Sequence, residues 1–478
     1  MESKQEMIKR GFSSVLSGSR FKKNKFFSQE QIVAMLQTTP EALAAFDKAY
    51  QIEALDQVSE NFFEVNAKQA KEQVQRKEGG VDPELIDRIV RELLEATPSV
   101  TVYDGKDLLQ YKPDAKRTSP VDPAELSCIQ KELRPQLTGK YACKDLHGDS
   151  YPVLLYYWSK YKETGNKQFY HHFRQGLDIL DMDPILYEMI GMNPNSMGFW
   201  FPALVEAVKA SGFFQIPKTT IVKLPVSMLQ LTRLDYESLT AATIKIVDQY
   251  CQKVFQLDPW KEYFVKTGTY SSKFDFRNAY VHGEKEVADL GEYLLFIHFQ
   301  ALMMASPLSK PSIYGVSTTN EWVVREFIPD KEENPCIYKG LPLHTEYRIF
   351  VDCDEDEVLG IVPYWEPETM KRRFSQSEDS DSPHQMHDYA IYRMHERTLM
   401  GRYQKNRDRI VAEIEAVLPD IHLPGQWSID VMQNGEEFWI IDMALAENSA
   451  FSECIPEEKR KPVEEKWIPK LQEKIKRE

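Results

Sequence analysis

Apolar residues recur at helical spacing directly after Asp82-Pro83, a dipeptide that is typical of a helix start. Their intervals of three and four residues place them on one face of a helix that packs against a core. Two earlier starts have the same character, because residues 28–31 have the form of a capping box and Thr39 precedes a proline. The first hundred residues are therefore predicted to be helical. The apolar positions after Asp82 are Leu85, Ile86, Ile89, Val90, Leu93 and Leu94.

The pattern changes after residue 216, where short β-branched and aromatic runs alternate with longer helical stretches. Helical spacing returns at about 240–255 and 284–304. Because strands and helices are mixed along this part of the chain, the sequence predicts an α+β fold. The strand-like runs are TTIVKLP (219–225), EYFVKTG (262–268), EWVVREFI (321–328), EYRIFVD (346–352) and VLGIVPYW (358–365).

Composition divides the chain further. Proline, aspartate and lysine are frequent in 104–140, which is typical of a linker, and FSQSEDSDSP at 374–383 predicts a polar surface loop. The last residues mix both charge signs and predict a solvated helix. The predicted regions are a helical N-terminal region (1–103), a linker (104–140), a mostly helical substrate region (141–215), an α+β domain (216–455) and a charged C-terminal helix (456–478).

The run QWSIDVMQNGEEFWIIDMA predicts a β-hairpin, because Asn434-Gly435 is a strong turn signal between two β-prone stretches. Each predicted strand carries one aspartate, Asp430 and Asp442. Burial of unpaired carboxylates costs several kcal/mol each, so a hard cation such as Mg²⁺ is a natural partner for both. The alternative is that one aspartate faces solvent on an edge strand.

The length of the hairpin loop decides whether the two aspartates share a face. A two-residue loop would place Asp430 opposite Trp439 and turn Asp442 to the other face. A three-residue loop of 434–436 would place Asp430 opposite Ile440. Asp442 would then be its diagonal neighbour on the same face, roughly 7 Å away. A shared Mg²⁺ site requires this second register.

Two lysines end apolar strands upstream of the hairpin, Lys223 in TTIVKLP and Lys266 in EYFVKTG. A lysine that leaves a buried strand is costly unless it meets an anion, and its compact ammonium suits phosphate. After Lys266 comes the loop TGTYSSKFDFRN, whose amides and hydroxyls could close over a triphosphate. The loop matches neither a Walker A motif nor a dinucleotide-binding fingerprint.

Bulk composition excludes several classes of protein. A formal net charge of -15 makes nucleic acid an unlikely partner, since most of the surface would repel phosphate backbones. Neither a run of about 18 apolar residues nor a secretory signal is present, so we expect a cytoplasmic protein that does not insert into a membrane. The six cysteines are scattered as reduced thiols would be, and His384 and His387 lack the partners of a zinc site.

The order of these motifs resembles the ATP-grasp superfamily: a strand lysine, a second strand lysine, a flexible loop, VVREFI, TEYRIFV and an acidic strand pair. The sequence is most similar to the bacterial and phage clade named for one arginine and two lysines. A looser likeness, in EYRIFVD, VLGI and WIIDMA, is to eukaryotic cell-division-cycle proteins that chaperone a translation initiation factor. The resemblance covers about 216–455 and implies two α+β subdomains that clasp ATP, with a helical N-terminal extension.

The resemblance also implies roles for individual residues. Lys223 and Lys266 would hold the phosphates, with Lys266 also catalytic. Ser271, Ser272 and Lys273 would lie on the loop that closes over them.

A second set would serve the base and the reacting phosphate. Glu326, Phe327 and Ile328 would offer backbone hydrogen bonds to adenine. Arg348 would neutralise charge as the γ-phosphate moves. Arg325 is the competing candidate for that role and would also contact the nucleotide.

Mg²⁺ would bind Asp430 and Asp442. ATP-grasp enzymes usually have an asparagine two residues after the second carboxylate, whereas this sequence has Ala444. Glu447 or Asn448 could supply the missing oxygen, and Asn448 is the expected third ligand.

The activity that the resemblance implies is carboxylate-amine ligation through an acyl-phosphate, with ATP and Mg²⁺ as cofactors. The carboxylate and the amine are unassigned, and either could belong to a peptide or a protein. The alternative is an ATP-binding chaperone or assembly factor that performs no ligation.

Overall fold

The computed structural model describes residues 83–113, 191, 193–225, 228–229, 241–304, 319–376 and 383–461. The helix starts predicted near residues 28 and 39, and most of the three predicted regions before residue 216, lie outside these ranges. Within them, no helix is long and apolar enough to cross a membrane.

The described elements form two main sheets with helices against them, which confirms the mixed α+β class. The helices are α1 (Pro83–Ala96), α2 (Met197–Val208), α3 (Ala241–Phe255), α4 (Gly283–Ala288), α5 (Leu290–Met304), α6 (Pro367–Gln376) and α7 (Pro383–Val417). The strands are β1 (Ser99–Tyr103), β2 (Leu108–Tyr111), β3 (Phe214–Gln215), β4 (Thr219–Lys223), β5 (Glu262–Thr267), β6 (Tyr280–His282), β7 (Glu321–Glu326), β8 (Cys336–Ile337), β9 (Leu341–Pro342), β10 (Thr345–Asp352), β11 (Glu357–Pro363), β12 (Gln426–Asn434) and β13 (Glu437–Leu445).

The first sheet is antiparallel, with the strand order β2-β1-β4-β7-β5-β6. Helices α1, α3 and α5 pack with its apolar residues in one core. From α1 this core takes Ile86, Val90, Leu93 and Leu94, so the described part of the predicted stripe is buried as expected. Lys266 of β5 and Arg325 of β7, two buried residues of the candidate site, therefore extend from a sheet that is packed against helices.

Strand pairing crosses the predicted boundary at 103/104. Residues 108–111, assigned to the linker, instead form β2, which pairs with β1 and through it with β4. The turn between them is stable because the Asp104 carboxylate accepts hydrogen bonds from the Lys106 and Asp107 amides, both 2.8 Å long. Gly105 takes φ +97° there, which a residue with a Cβ rarely adopts. The composition rule for linkers missed this short hairpin.

The second sheet has the order β11-β10-β12-β13-β3 and is antiparallel except for the short parallel pair β13–β3. The 35-residue α7 packs on β10 and β11, and its Tyr392 and Leu399 share a core with Trp365 and Met370. Sequence analysis did not predict this helix. His384 and His387 lie on it, and residues 374–376 and 383 of the predicted loop belong to α6 and α7. The other residues of that predicted loop lie outside the described ranges.

The C-terminal helix predicted from residue 456 is absent from the described part of that region. Glu457–Lys459 form one 3-10 turn, and the Lys461 ammonium lies 2.7 Å from the Asp352 carboxylate. Residues beyond 461 lie outside the described ranges.

Both registers considered for the hairpin are wrong. Asn434 pairs with Glu437, so the turn is Gly435-Glu436, and the register shifts between Val431 and Asp430. The extra residue is Ile441 on β13, a bulge that places Asp442 directly opposite Asp430. The same-face relation required for a shared cation is present, but through a bulge rather than a three-residue loop.

The start of α5 depends on a buried carboxyl of α3. Asp248 Oδ1 accepts the Glu292 amide at 3.1 Å and so caps α5 from another helix. Burial raises the pKa of Asp248 to about 7, with smaller contributions from the nearby charges of Asp289 and Glu292. Between its unfolded pKa, about 4, and pH 7, the folded state holds a proton that the unfolded state has lost.

We predict that Asp248→Asn is more stable than the parent protein at about pH 8 and nearly equal to it at about pH 4, because asparagine keeps the acceptor oxygen and cannot ionise. Urea unfolding at both pH values measures the difference. The matched change Asp104→Asn should act in the opposite direction at pH 8, since amide hydrogen bonds lower the pKa of Asp104. Equal gains at both pH values would contradict the prediction.

Candidate functional site

The two sheets meet where β5 of the first sheet approaches β13 of the second. Lys266 is 2% exposed, and its ammonium lies 3.1 and 3.2 Å from the two carboxylate oxygens of Asp442. Burial lowers the pKa of Lys266, and Asp442 partly offsets this. Burial would raise the pKa of Asp442, but Lys266 and Arg325 outweigh it and lower that pKa. The two groups thus form an ion pair that joins the sheets.

Arg325 makes a second contact between the sheets at the bulge. Its guanidinium donates to the carbonyl oxygen of Ile441, the extra residue of β13, and its Nε donates to Thr219 Oγ1 at 3.3 Å. Burial lowers the pKa of Arg325 to about 10, against the opposing charge of Asp442. The bulge thus frees the Ile441 carbonyl oxygen to accept a hydrogen bond from the other sheet, whereas in a regular antiparallel pair a carbonyl of this strand would bond to its neighbouring strand.

Arg348 is held within the second sheet. It pairs with Asp430 through two parallel hydrogen bonds, Nε to Oδ1 at 2.7 Å and Nη2 to Oδ2 at 2.6 Å. Burial would lower the pKa of Arg348, but Asp430 outweighs it and raises it. Its Nη1 donates to the Ala450 carbonyl at 3.3 Å. All three guanidinium nitrogens are therefore engaged.

Lys273 reaches the second sheet from the predicted closing loop. Its ammonium lies 3.8 Å from the centroid of the Tyr364 ring, whose other close cation is Arg348 at 4.8 Å. Burial would lower the pKa of Lys273, but Tyr364, Glu346 and Asp430 raise it. Glu346 is itself buried, and burial raises its pKa to about 7 against the opposing charge of Lys273.

Glu321 joins the two strand lysines. It lies opposite Lys223 in the β4–β7 ladder and is 1% exposed. Burial raises its pKa, while Lys223, the Gly198 amide and Lys266 act in the opposite direction. The two lysines predicted to hold phosphate therefore both interact electrostatically with one buried carboxylate.

The remaining residues of the predicted loop are more constrained than a flexible loop would be. Ser272 is buried, and its hydroxyl donates to Gln300 of α5 at 2.7 Å. Residues Lys273–Asn278 form 3-10 turns, interrupted at Asp275. Ser271 is half-buried. Of the three loop residues, Lys273 is the one in contact with the acidic groups of the second sheet.

The predicted adenine-binding residues connect β7 to the chain that leads to the second sheet. The Glu326 amide donates to the Lys218 carbonyl at 2.8 Å, and the Phe327 amide donates to Glu262 at 2.9 Å. Two of the three backbone amides assigned to adenine binding thus already donate hydrogen bonds within the protein. Adenine binding by the Ile328 amide and by the carbonyl groups of these residues stays a prediction.

Asn448 lies on the 3-10 turn Ala446–Asn448 directly after β13. The next residues fold back over the second sheet, because Ser449 Oγ lies 2.7 Å from Ser428 Oγ and Arg348 donates to Ala450. Asn448 Oδ1 accepts a hydrogen bond from Asn195 Nδ2 at 2.8 Å. The turn that follows β13 therefore returns to the strand that carries Asp430.

The oxygen donors present fit Mg²⁺ chemistry. Asp430 and Asp442 lie opposite each other, and Mg²⁺ characteristically takes one or two carboxylates together with phosphate and water. Among the described residues, no group of three or more His, Cys, Asp or Glu side chains is arranged to hold a metal ion. A metal at this position would thus need ligands from the nucleotide or from the amide of Asn448.

Sequence analysis missed three residues of this cluster. Glu346 could have been found, since it stands two positions before Arg348 and strand alternation puts both on one face. Glu321 could have been found from the pairing of β4 with β7, once that register was known. Asn195 had no local signal, because its partners are about 250 residues away.

We predict that Arg348→Met lowers the free energy of unfolding by about 3–5 kcal/mol, because Asp430 would remain buried without its cation. Adding Asp430→Asn should restore most of the loss, which urea unfolding of the single and double variants measures. As a control, Arg393→Met breaks the exposed pair with Glu396 and should cost under about 1 kcal/mol. Equal losses at the two arginines would contradict the prediction.

Comparisons with known proteins gave a weak structural likeness. No protein-family model and no curated protein matches the sequence. C-terminally truncated Cdc123 from Schizosaccharomyces pombe is 13% identical, with 58% of this chain and 95% of that chain covered and a TM-score of 0.32. A second Cdc123 structure from that organism is 14% identical over 57% and 96%, with a TM-score of 0.31. At these scores the likeness establishes neither a family nor a shared fold.

Proposed function

We propose that the protein has an ATP-grasp fold and binds Mg²⁺-ATP between its two sheets, and that it acts as an ATP-dependent assembly factor. The observation that carries the proposal is the Lys266–Asp442 pair, a buried ammonium of one sheet against a carboxylate of the other. Burying the ammonium costs several kcal/mol, and its partner Asp442 has a side chain that is 41% exposed, so a buried lysine at this position needs a reason other than stability.

The charges of the cluster favour an anionic ligand that arrives with a cation. The cluster contains the cations Lys223, Lys266, Lys273, Arg325 and Arg348 and the carboxylates Glu321, Glu346, Asp430 and Asp442, which interact electrostatically. Two of the five cations form ion pairs with these carboxylates, Lys266 with Asp442 and Arg348 with Asp430. Bound Mg²⁺ would supply positive charge to Asp430 and Asp442 and to the phosphates. Lys266 would then turn from Asp442 towards phosphate oxygen, which it binds as a point charge.

An assembly role is supported by the position of the contacts. Lys266 and Arg325 of the first sheet meet Asp442 and Ile441 of the second, so a ligand at this point bears on the spacing of the sheets. A ligand can shift that spacing only by its different affinity for the two arrangements. Arg348, the residue expected to assist phosphoryl transfer, has its nitrogens bound to Asp430 and Ala450.

Ligation is the second candidate function. It is supported by the convergence of Arg325, Lys273 and Arg348 beside the two aspartates, because phosphoryl transfer is catalysed mainly by positioning and by positive charge. A ligase would use these cations on the γ-phosphate and then on an acyl-phosphate, with a carboxylate and an amine as substrates.

We predict that Mg²⁺-ATP raises the melting temperature and that Lys266→Met weakens ATP binding by at least about tenfold, or 1.4 kcal/mol. Lys273→Met should weaken it less, because Lys273 lies on a connecting segment whereas Lys266 is fixed by a strand. Titration calorimetry measures all three proteins.

The control is Lys253→Met, since Lys253 is exposed on α3 and forms an ion pair with Asp87, away from the proposed metal ligands Asp430 and Asp442. It should leave ATP affinity unchanged. Absence of a melting shift with ATP, ADP and slowly hydrolysed analogues at saturating Mg²⁺ would refute the proposed nucleotide site.

We further predict that Asp442→Asn reduces the ratio of ATP affinity with Mg²⁺ to that without Mg²⁺, by about tenfold. The change removes the negative charge of one metal ligand while keeping an oxygen, and it also releases Lys266 from its ion pair, so metal-free ATP should bind more tightly than it does to the parent protein. Calorimetry with Mg²⁺ or with a chelator measures the ratio. A ratio equal to that of the parent protein would remove Asp442 from the metal site.

The same variant separates the two candidate functions. A ligase should form ADP in the presence of its carboxylate and amine, and Asp442→Asn should abolish that turnover. An assembly factor should form little ADP before or after the change. Rapid ADP formation by the parent protein with carboxylate and amine mixtures would favour ligation.

A further inference from the structure

Residues 193–198, which we call the latch, contact both sheets and include the first two residues of α2. Asn193, Asn195, Ser196 and Met197 are all buried. The latch is folded by its own polar groups, because Asn193 Oδ1 accepts the Asn195 amide and the Asn193 carbonyl accepts the Ser196 amide, each at 3.0 Å. A buried polar segment of this kind is ordered by the groups that it contacts.

Towards the first sheet, the latch contacts the residues that flank the strand lysines. The Met197 amide donates to the Gly268 carbonyl at 2.9 Å, and the Gly198 amide donates to Glu321 Oε2 at 2.8 Å. A Cβ on Gly198 would lie 2.4 Å from a Glu321 carboxylate oxygen, so a larger residue there would require the Glu321 side chain to move. This end of the latch therefore contacts the carboxylate that interacts electrostatically with Lys223 and Lys266.

Towards the second sheet, one side chain of the latch makes two hydrogen bonds. Asn195 Oδ1 accepts the Leu445 amide at 2.7 Å, and Asn195 Nδ2 donates to Asn448 Oδ1 at 2.8 Å. A backbone amide can only donate, so Asn195 must present its oxygen to Leu445 and its nitrogen to Asn448. Asn448 must in turn present its oxygen to Asn195. One backbone amide thus determines the orientation of both carboxamides.

We propose that Asn195 is a positioning residue of the nucleotide site, which holds the Asn448 amide oxygen in the orientation of a ligand for the Mg²⁺ of Mg²⁺-ATP. This inference rests on the proposed function. The Asn448 oxygen has a second lone pair beside the one that Asn195 occupies. The residues that follow its turn, Ser449 and Ala450, are hydrogen-bonded to Ser428, two positions before Asp430 on β12, and to Arg348, which lies opposite Asp430. Hydrogen bonds that orient a metal ligand commonly raise metal affinity by about 10–100-fold, and we expect an effect of this order here.

The test is the Mg²⁺ concentration that gives half of the gain in ATP affinity, measured by calorimetry on the full chain. Asn195→Asp keeps an acceptor for Leu445 but offers oxygen to Asn448, which must then turn its amide nitrogen inward and its oxygen away. The half-effect concentration should rise by about tenfold. Asn195→Ala leaves the Asn448 side chain free to rotate, so the half-effect Mg²⁺ concentration should rise by a smaller factor. If the buried aspartate of Asn195→Asp prevents folding, the Asn195→Ala variant provides the test.

The matched control is Asn406→Asp, since Asn406 of α7 is also buried and donates to the Arg402 carbonyl on the same helix and to Gln433 on β12. It should lower stability without changing the Mg²⁺ requirement. In an Asn448→Ala background, Asn195→Asp should not raise the half-effect Mg²⁺ concentration any further. A purely structural role of Asn195 would instead raise it in both backgrounds.

The outcomes separate this inference from the function on which it rests. No binding of Mg²⁺-ATP to the parent protein would overturn the proposed function and the inference together. Binding by the parent protein, with Asn195 variants that need no more Mg²⁺ than Asn406→Asp, would overturn the inference alone. A rise at Asn195 that persists in the Asn448→Ala background would also overturn it.

Discussion

The rest of this structure depends on one contact between the two sheets, in which the buried Lys266 ammonium meets the partly exposed Asp442 carboxylate. Lys266 leaves the first sheet with 2% of its surface exposed, and Asp442 of the second sheet neutralises it. An isolated ammonium at this depth would cost several kcal/mol, so the sheets cannot be moved apart without hydrating the lysine. Arg325 and the latch reinforce the same junction, and the helical cores lie behind it.

The chemistry of the cluster could be read from local sequence, whereas its geometry could not. A lysine at the end of an apolar strand and an aspartate within one are costly residues wherever they stand, so Lys223, Lys266 and Asp430 were recognisable without a structure. Strand alternation also contained Glu346, which was overlooked. The long helix α7 was missed because its exposed face carries polar and apolar residues together, with Met394 87% exposed.

Register and long-range hydrogen bonds were beyond such reasoning for a physical reason. The turn dipeptide predicts a hairpin, but a bulge is stabilised by whatever satisfies the backbone group that it frees. Here the partner of the Ile441 carbonyl is Arg325, a residue of the other sheet. Asn195 likewise depends on contacts with Leu445 and Asn448 that no local pattern encodes.

The bulge at Ile441 also divides the hairpin into two segments that hold different registers. On the side of the turn, Val431 pairs with Ile440, and on the other side Asp430 pairs with Asp442. In a regular strand Ile440 and Asp442 would point to the same face, because side chains two residues apart do so. The bulge therefore lets one short strand bury Ile440 beside Val431 and still place Asp442 beside Asp430 on the other face.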